Sequence, residues 1–467
     1  MSKRVVITGL GPVCPNGVGI DKKEFWYNIS NGNQISDFLP RVEQRGYGLV
    51  QACIFKDFNL DTYFAEDRKN GNLNRKAYAK LRYDDKSIQF GVLAAKLALE
   101  DSGIEYDPED NHIGVYFGNA EEAIYSTEQA SIAVFQRVFK KTFKHFKKHI
   151  NPFNFFKIKK ELEGYLPLLE EERLEDFVDL LSKTCGNLHS FTPPSSVNYK
   201  SYAIPGKIAS FFNLHGPGRA INTGCASGLD AIGLAAFAIK HGYIEAAVAG
   251  GSEAPISLQA ISSLGNLGVL SKTLPKPFCI DRDGFAIAEG AGGVVLEERE
   301  SAIKRGAKIY AEIKGYGSTN DANLQTCMID PYGTYLAKAM KIALNSSELN
   351  TDEIDYINVH GTATPQCEPA ETAAVKYVFN ADSKKLNLSG TKSMTGHSIG
   401  AVGGIETIIS ACAIQENIVP PTINLLKPDP VCDLNNTPNV AQEREINNAM
   451  ILSMGFGGYN SAMILGK

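Results

Sequence analysis

The sequence predicts an α/β fold with buried parallel or mixed sheets, and three observations carry that prediction. Short apolar runs alternate with helical stretches along most of the chain. Forty-three of the 467 residues are glycine, and many stand where an apolar run ends, as tight strand-to-helix turns require. Hydrophobic residues make up 43% and charged residues 21%, which is ordinary for a globular chain and excludes a disordered or collagen-like one.

The elements follow in order. The apolar runs at 5–9, 112–118, 246–250, 292–297, 311–315, 356–360 and 449–454 read as strands, most of them running into glycine-rich turns. The stretches 84–102, 227–241, 369–379 and 400–415 read as helices. The first residues read as a strand rather than a signal peptide, and no run of about 18 apolar residues offers a transmembrane helix. Nine scattered cysteines without a CxxC pair argue against a disulfide framework or a zinc site and fit a reducing cytoplasm. Lys and Arg number 47 against 52 Asp and Glu, a net charge of -5, which speaks against general nucleic-acid binding.

One segment, about 125–199, breaks the rhythm. Residues 137–160 carry nine basic residues and no acidic ones, whereas 161–179 carry eight acidic residues and one Arg. Phe135, Val138, Phe139, Phe143, Phe146 and Ile150 recur at helical spacing. Two readings stand: a helical hairpin whose opposite charges pair, or a basic docking surface for an acidic partner or a membrane face.

Four clusters carry candidate chemistry. Cys225 lies in Thr223-Gly224-Cys225-Ala226-Ser227-Gly228, between a strand-like stretch and an apolar helix. The positive end of a helix dipole there favours a thiolate, and small neighbours let a bulky group reach the sulfur. A buried structural cysteine would fit the same local pattern. His360 and His397 each occupy a Gly/Ser/Thr loop at the end of an element, with Lys392 five residues before His397. One thiolate with two imidazoles suits carbon–carbon condensation on thioesters. The sulfur takes an acyl group, and two neutral N–H donors stabilise the enolate left when a second thioester loses CO2. Lys392 is placed to hold carboxylates and tune the electrostatics. The fourth cluster is 453–460, where glycines flank Phe456. It reads either as a gating aromatic with backbone oxyanion donors or as a tight hairpin whose Phe packs in the core.

Taken together, the Cys225 turn, Ala249-Gly250-Gly251-Ser252-Glu253-Ala254, Asp281-Arg282-Asp283-Gly284-Phe285, His360-Gly361-Thr362, Lys392-Ser393-Met394-Thr395-Gly396-His397, Pro420-Pro421-Thr422-Ile423-Asn424-Leu425 and Gly455-Phe456-Gly457-Gly458 stand in an order that resembles the β-ketoacyl-[acyl-carrier-protein] synthase II family of the thiolase superfamily. The resemblance implies a five-layered αβαβα sandwich of two similar halves, 1–270 and 271–467, with a helical insertion at about 125–199. It implies decarboxylative condensation of an acyl thioester with malonyl-acyl carrier protein, in fatty-acid or specialised polyketide biosynthesis. Cys225 would be acylated, His360 and His397 would drive decarboxylation, and Lys392 would support them. Thr362 and Thr364 would contact the phosphopantetheine arm of acyl carrier protein. Phe456 would gate the acyl pocket with Gly457 beside it, and Arg82 would lie near the carrier-protein face. Neither metal nor cofactor is implied. The expected assembly is a homodimer, or a heterodimer with a ketosynthase-like partner. The sequence departs from the family at Gly224, Cys367, Met454 and Tyr459, and in the insertion. An acyltransferase and a non-elongating partner subunit remain as alternatives.

Overall fold

A ten-stranded sheet carries the fold, in two sets of five strands. The first set is β1 (Val5–Val13), β2 (Gly114–Gly118), β3 (Gly218–Ile221), β4 (Ala246–Glu253) and β5 (Gly290–Glu298). The second is β6 (Ala311–Asn320), β7 (Tyr356–Asn358), β8 (Asn387–Ser389), β9 (Asn448–Gly455) and β10 (Tyr459–Gly466). The computed structural model describes residues 3–15, 18–34, 37–38, 50–70, 75–82, 84–121, 200–323 and 328–467. The basic and acidic stretches expected at 137–160 and 161–179 lie outside these residues.

The strand order is β8-β7-β9-β10-β6-β1-β5-β4-β2-β3. From either outer edge inward, each set reads third, second, fourth, fifth, first. The directions also repeat: the three outer strands of each set are parallel, and the fifth runs antiparallel between the fourth and the first. The chain therefore contains the same topology twice. The sets join where Val5, Val6 and Ile7 pair with Ile313, Glu312 and Ala311. The first set ends at Glu298 and the second begins at Ala311, so the expected boundary at 270/271 falls inside the first set, ahead of β5.

Five helices complete the layers: α1 (Lys86–Ser102), α2 (Ser227–Lys240), α3 (Thr334–Ser347), α4 (Cys367–Phe379) and α5 (Val402–Glu416). α1 covers β1, β4 and β5 from outside, and α3 covers β6 and β10, with α4 beside it. α2 and α5 form the middle layer and touch strands of both sets, giving α, β, α, β, α. Burial follows from that placement. α3 buries Leu336, Ala337, Met340, Ala343 and Leu344, a single stripe at helical spacing. α5 buries every residue from Val402 to Ile414, as a helix sandwiched between the two five-stranded sets must. Glycine makes this close stacking feasible. A Cβ at Gly403 would lie 2.2 Å from the Leu229 nitrogen on α2, and one at Gly404 would lie 2.2 Å from the Gly292 oxygen on β5. No helix among the described residues is long and apolar enough to cross a membrane.

Candidate active site

Cys225 sits on the turn between β3 and α2. Gly224 before it has φ 58°, a left-handed conformation that would cost a Cβ-bearing residue about 1 kcal/mol. The turn is tied on both sides. Ser227 Oγ donates to the Gly224 carbonyl at 2.5 Å and accepts from the Thr223 N–H at 2.9 Å. Ser453 Oγ, from β9 in the second set, donates to the Cys225 carbonyl at 3.1 Å. The thiol is therefore held by both halves of the repeat.

His360 follows β7. Its N–H and that of Gly361 donate to the Glu371 carboxylate of α4 at 2.6 and 2.8 Å. His397 is clamped by backbone bonds with Ala286 and Ala288, at 2.8 and 3.0 Å. Its ring meets Phe285 edge-on at 4.8 Å and the His360 ring at 5.4 Å and 88°. His397 Nε2 lies 3.1 Å from Cys225 Sγ. Lys392, 1% exposed, donates to the His360 carbonyl and, at 2.5 Å, to Glu406 of α5.

Burial pushes both imidazoles well below the ordinary histidine range, and the Lys392 charge pushes them further the same way. Both are therefore neutral near neutral pH. Burial works against the expected thiolate. Burial pushes the Cys225 thiol up to about 12, and the opposing pull of Lys392 and the Phe456 N–H is too weak to reverse it. Desolvation outweighs those two pulls and favours the thiol, with His397 Nε2 at 3.1 Å as its nearest proton acceptor. A thiol and two imidazoles whose ligand atoms lie within 4.8 Å of one another also have a spacing a zinc ion would accept. The buried Lys392 ammonium, which already disfavours positive charge on both imidazoles, opposes a dication there.

A cavity of about 290 Å³ opens onto this cluster. Cys225, His360, His397, Thr362, Thr364 and Phe456 line it. The hydroxyls of Thr362 and Thr364 lie 3.1 Å apart, and Phe456 is 37% exposed. Lys392 stands behind the histidines rather than on the wall. Gly457, expected to bind substrate, does not line the cavity, whereas Gly455 and Phe456 do. The Gly457 carbonyl instead accepts from Asn320 Nδ2 at 2.8 Å. Arg82 does not line the cavity, and its half-exposed side chain pairs with Asp61 at 3.2 Å. Sequence reasoning missed Glu371 and Glu406, which hold the His360 backbone and Lys392. A lone acid inside the apolar helix at 400–415 was the available signal for Glu406.

A buried thiol beside two imidazoles and a buried lysine, set between duplicated five-stranded sets, is the arrangement of a thiolase-like condensing enzyme. Two family models match the chain: the β-ketoacyl synthase N-terminal domain over residues 2–144 and 180–302, and the β-ketoacyl synthase C-terminal domain over 310–426. The chain belongs to the β-ketoacyl synthase family. It is 34% identical over 472 residues to 3-oxoacyl-[acyl-carrier-protein] synthase 2 of Staphylococcus aureus (strain N315), covering 100% of this chain and 99% of that one. It is equally 34% identical to a putative polyketide β-ketoacyl synthase 1 of Streptomyces virginiae, covering 99% and 97%. Among solved structures it is similar to a type II polyketide ketosynthase bound to the hexaketide and in complex with its acyl carrier protein, with TM-score 0.77, 28% identity and coverage of 100% and 99%. A β-ketoacyl synthase from Burkholderia phymatum STM815 gives 0.74 at 26% identity, covering 100% and 99%. Only 145–179 of the atypical segment falls between the matched parts of the N-terminal model.

Proposed function

We propose that the protein condenses an acyl thioester with malonyl-acyl carrier protein, releasing CO2 and 3-oxoacyl-acyl carrier protein, in fatty-acid or polyketide biosynthesis. The contact between His397 Nε2 and Cys225 Sγ carries this reading, with His360 alongside. As Sγ attacks the acyl carbonyl, its proton passes to His397 Nε2, and the N–H groups beside the sulfur, those of Cys225 and Phe456, face the developing oxyanion. The departing carrier thiol takes the proton back, which leaves His397 neutral. His397 then presents its other neutral tautomer, with the proton on Nε2, and the malonyl carbonyl oxygen accepts hydrogen bonds from both imidazoles. Loss of CO2 leaves an enolate whose carbon attacks the acyl-cysteine. The C–C bond forms, the C–S bond breaks, and the released Cys225 thiolate takes a proton from solvent, the one proton the overall reaction consumes.

Substrates arrive on the phosphopantetheine arm of acyl carrier protein, and the Thr362 and Thr364 hydroxyls suit its amides. No metal or other cofactor is required. The chain acts as a homodimer or beside a ketosynthase-like partner, a reading supported by the β3 edge, where Gly218, Arg219 and Ala220 are exposed. Seven free cysteines among the described residues fit the cytoplasm. Intact-protein mass spectrometry with acyl carrier thioesters tests the reaction: acylation confined to Cys225, then 3-oxoacyl product on adding malonyl-acyl carrier protein, is expected. Acylation elsewhere, or no C–C product, refutes it. Light scattering on the purified chain reads the assembly.

A further inference from the structure

Glu121 is the one acidic side chain lining the catalytic cavity among the described residues. The wall around it is otherwise largely apolar, with Leu264, Val269, Phe285, Ile329, Ile399 and Met454. Glu121 stands three residues beyond β2, and its backbone is fixed from several directions. The fully buried Glu253 at the end of β4 accepts the Ala120 N–H at 2.8 Å, the Glu121 N–H at 3.4 Å, Asn119 Nδ2 at 2.6 Å and the Gly400 N–H at 3.2 Å. Asn222 Nδ2 donates to the Ala120 carbonyl at 3.2 Å. The turn is thus tied to β4, to the residue before the nucleophile turn and to the entry of α5.

The Glu121 carboxyl itself has no hydrogen-bond or ion-pair partner among the described residues. Burial raises its pKa, and its charge in turn raises Cys225 and Glu253, so it is felt at the nucleophile. Glu121 is partly exposed on the cavity wall, and an acyl chain that covered its carboxyl without offering a partner would desolvate it at a cost, more so near the buried Glu253. In its protonated form it offers both a donor and an acceptor to whatever enters. Glu121 shares the cavity with Cys225 and its charge reaches the sulfur, so the first carbons of an acyl chain on that sulfur lie nearest it.

We infer that Glu121 is a specificity-determining residue. It selects acyl chains bearing a hydroxyl or keto oxygen near the thioester over plain alkyl chains, by hydrogen bonding that oxygen inside an otherwise apolar cavity. The inference rests on the condensing reaction above and names the substrate class of that same site. A site built to hydrogen-bond a substrate oxygen rejects the analogue that lacks it, because the protein group is then left unpaired.

The test compares hexanoyl with 3-hydroxyhexanoyl pantetheine thioesters as acyl donors to Cys225, following intact mass over time. The wild-type chain should favour the hydroxylated donor by about 10- to 100-fold. Glu121→Leu should lose that preference and accept hexanoyl faster than wild type. Glu121→Gln, which keeps a donor and an acceptor, should retain most of it. Equal wild-type rates with the two donors, within about threefold, overturn the inference while leaving the reaction intact. An undiminished preference in Glu121→Leu does the same. If neither donor acylates Cys225 in the wild-type chain, the condensing reaction fails and the inference with it.

Discussion

The His397–Cys225 contact makes a sharp prediction. Burial pushes the Cys225 thiol far above the ordinary cysteine range, so the protonated form dominates near neutral pH and the proton must leave as the sulfur attacks. Proton transfer to Nε2, 3.1 Å away, has to accompany attack. His397→Ala removes that acceptor, and acylation should slow by about 100- to 10,000-fold, the usual worth of general base catalysis. It also removes one of two enolate donors, so malonyl decarboxylation should fall by about 100- to 1000-fold. His360 has no hydrogen bond to the sulfur, and its ring meets His397 instead. His360→Ala should therefore lose decarboxylation to a similar degree while acylation stays within about threefold of wild type. The assay follows acyl-cysteine formation by intact mass and CO2 release from malonyl-acyl carrier protein, for each variant separately. Acylation by His397→Ala at near the wild-type rate would refute the proton-acceptor role. Equal loss of acylation in both variants would show instead that the cluster collapses as a unit.

Three further outcomes follow from the same geometry. Because burial and Lys392 hold both imidazoles well below the ordinary range, malonyl decarboxylation by Cys225→Ala should show no histidine titration as pH falls from about 8 to about 6; a midpoint near 6.5 that persists in Glu406→Gln, Glu406 itself being pushed up to about 7 by burial, would mean an ordinary histidine. Glu406→Leu strands the Lys392 ammonium at 1% exposure and should cost about 3–5 kcal/mol in denaturant unfolding, and a loss below about 1 kcal/mol would show that the pair is dispensable. Phe456→Ala should raise the acylation rate with bulky donors and leave the melting temperature nearly unchanged, since the ring is 37% exposed; a large melting shift would assign Phe456 to the core instead.

Much of this protein is legible in its sequence. The helices at 84–102 and 400–415 are found at Lys86–Ser102 and Val402–Glu416, because long apolar runs bounded by turns leave few alternatives. Cys225, His360, Lys392 and His397 stand out because each interrupts a Gly/Ser/Thr loop at the end of an element, and motif order links them across the chain. Other features have no local signature. β3 (Gly218–Ile221) reads Gly-Arg-Ala-Ile, with three exposed residues and no apolar alternation, and is a strand only because β2 pairs with it. The junction of the two halves at 299–310 is visible only in the strand order, since β5 returns antiparallel to complete the first set. The state of the nucleophile belongs wholly to the tertiary structure. The sequence places Cys225 before a helix, whose dipole favours the thiolate. The fold then surrounds the sulfur with Glu121, Glu253, Lys392 and the Phe456 N–H, from four separate stretches of chain, and removes it from water. Desolvation at that point depends on how the two five-stranded sets and two helices stack, so it reverses what the local sequence alone implies.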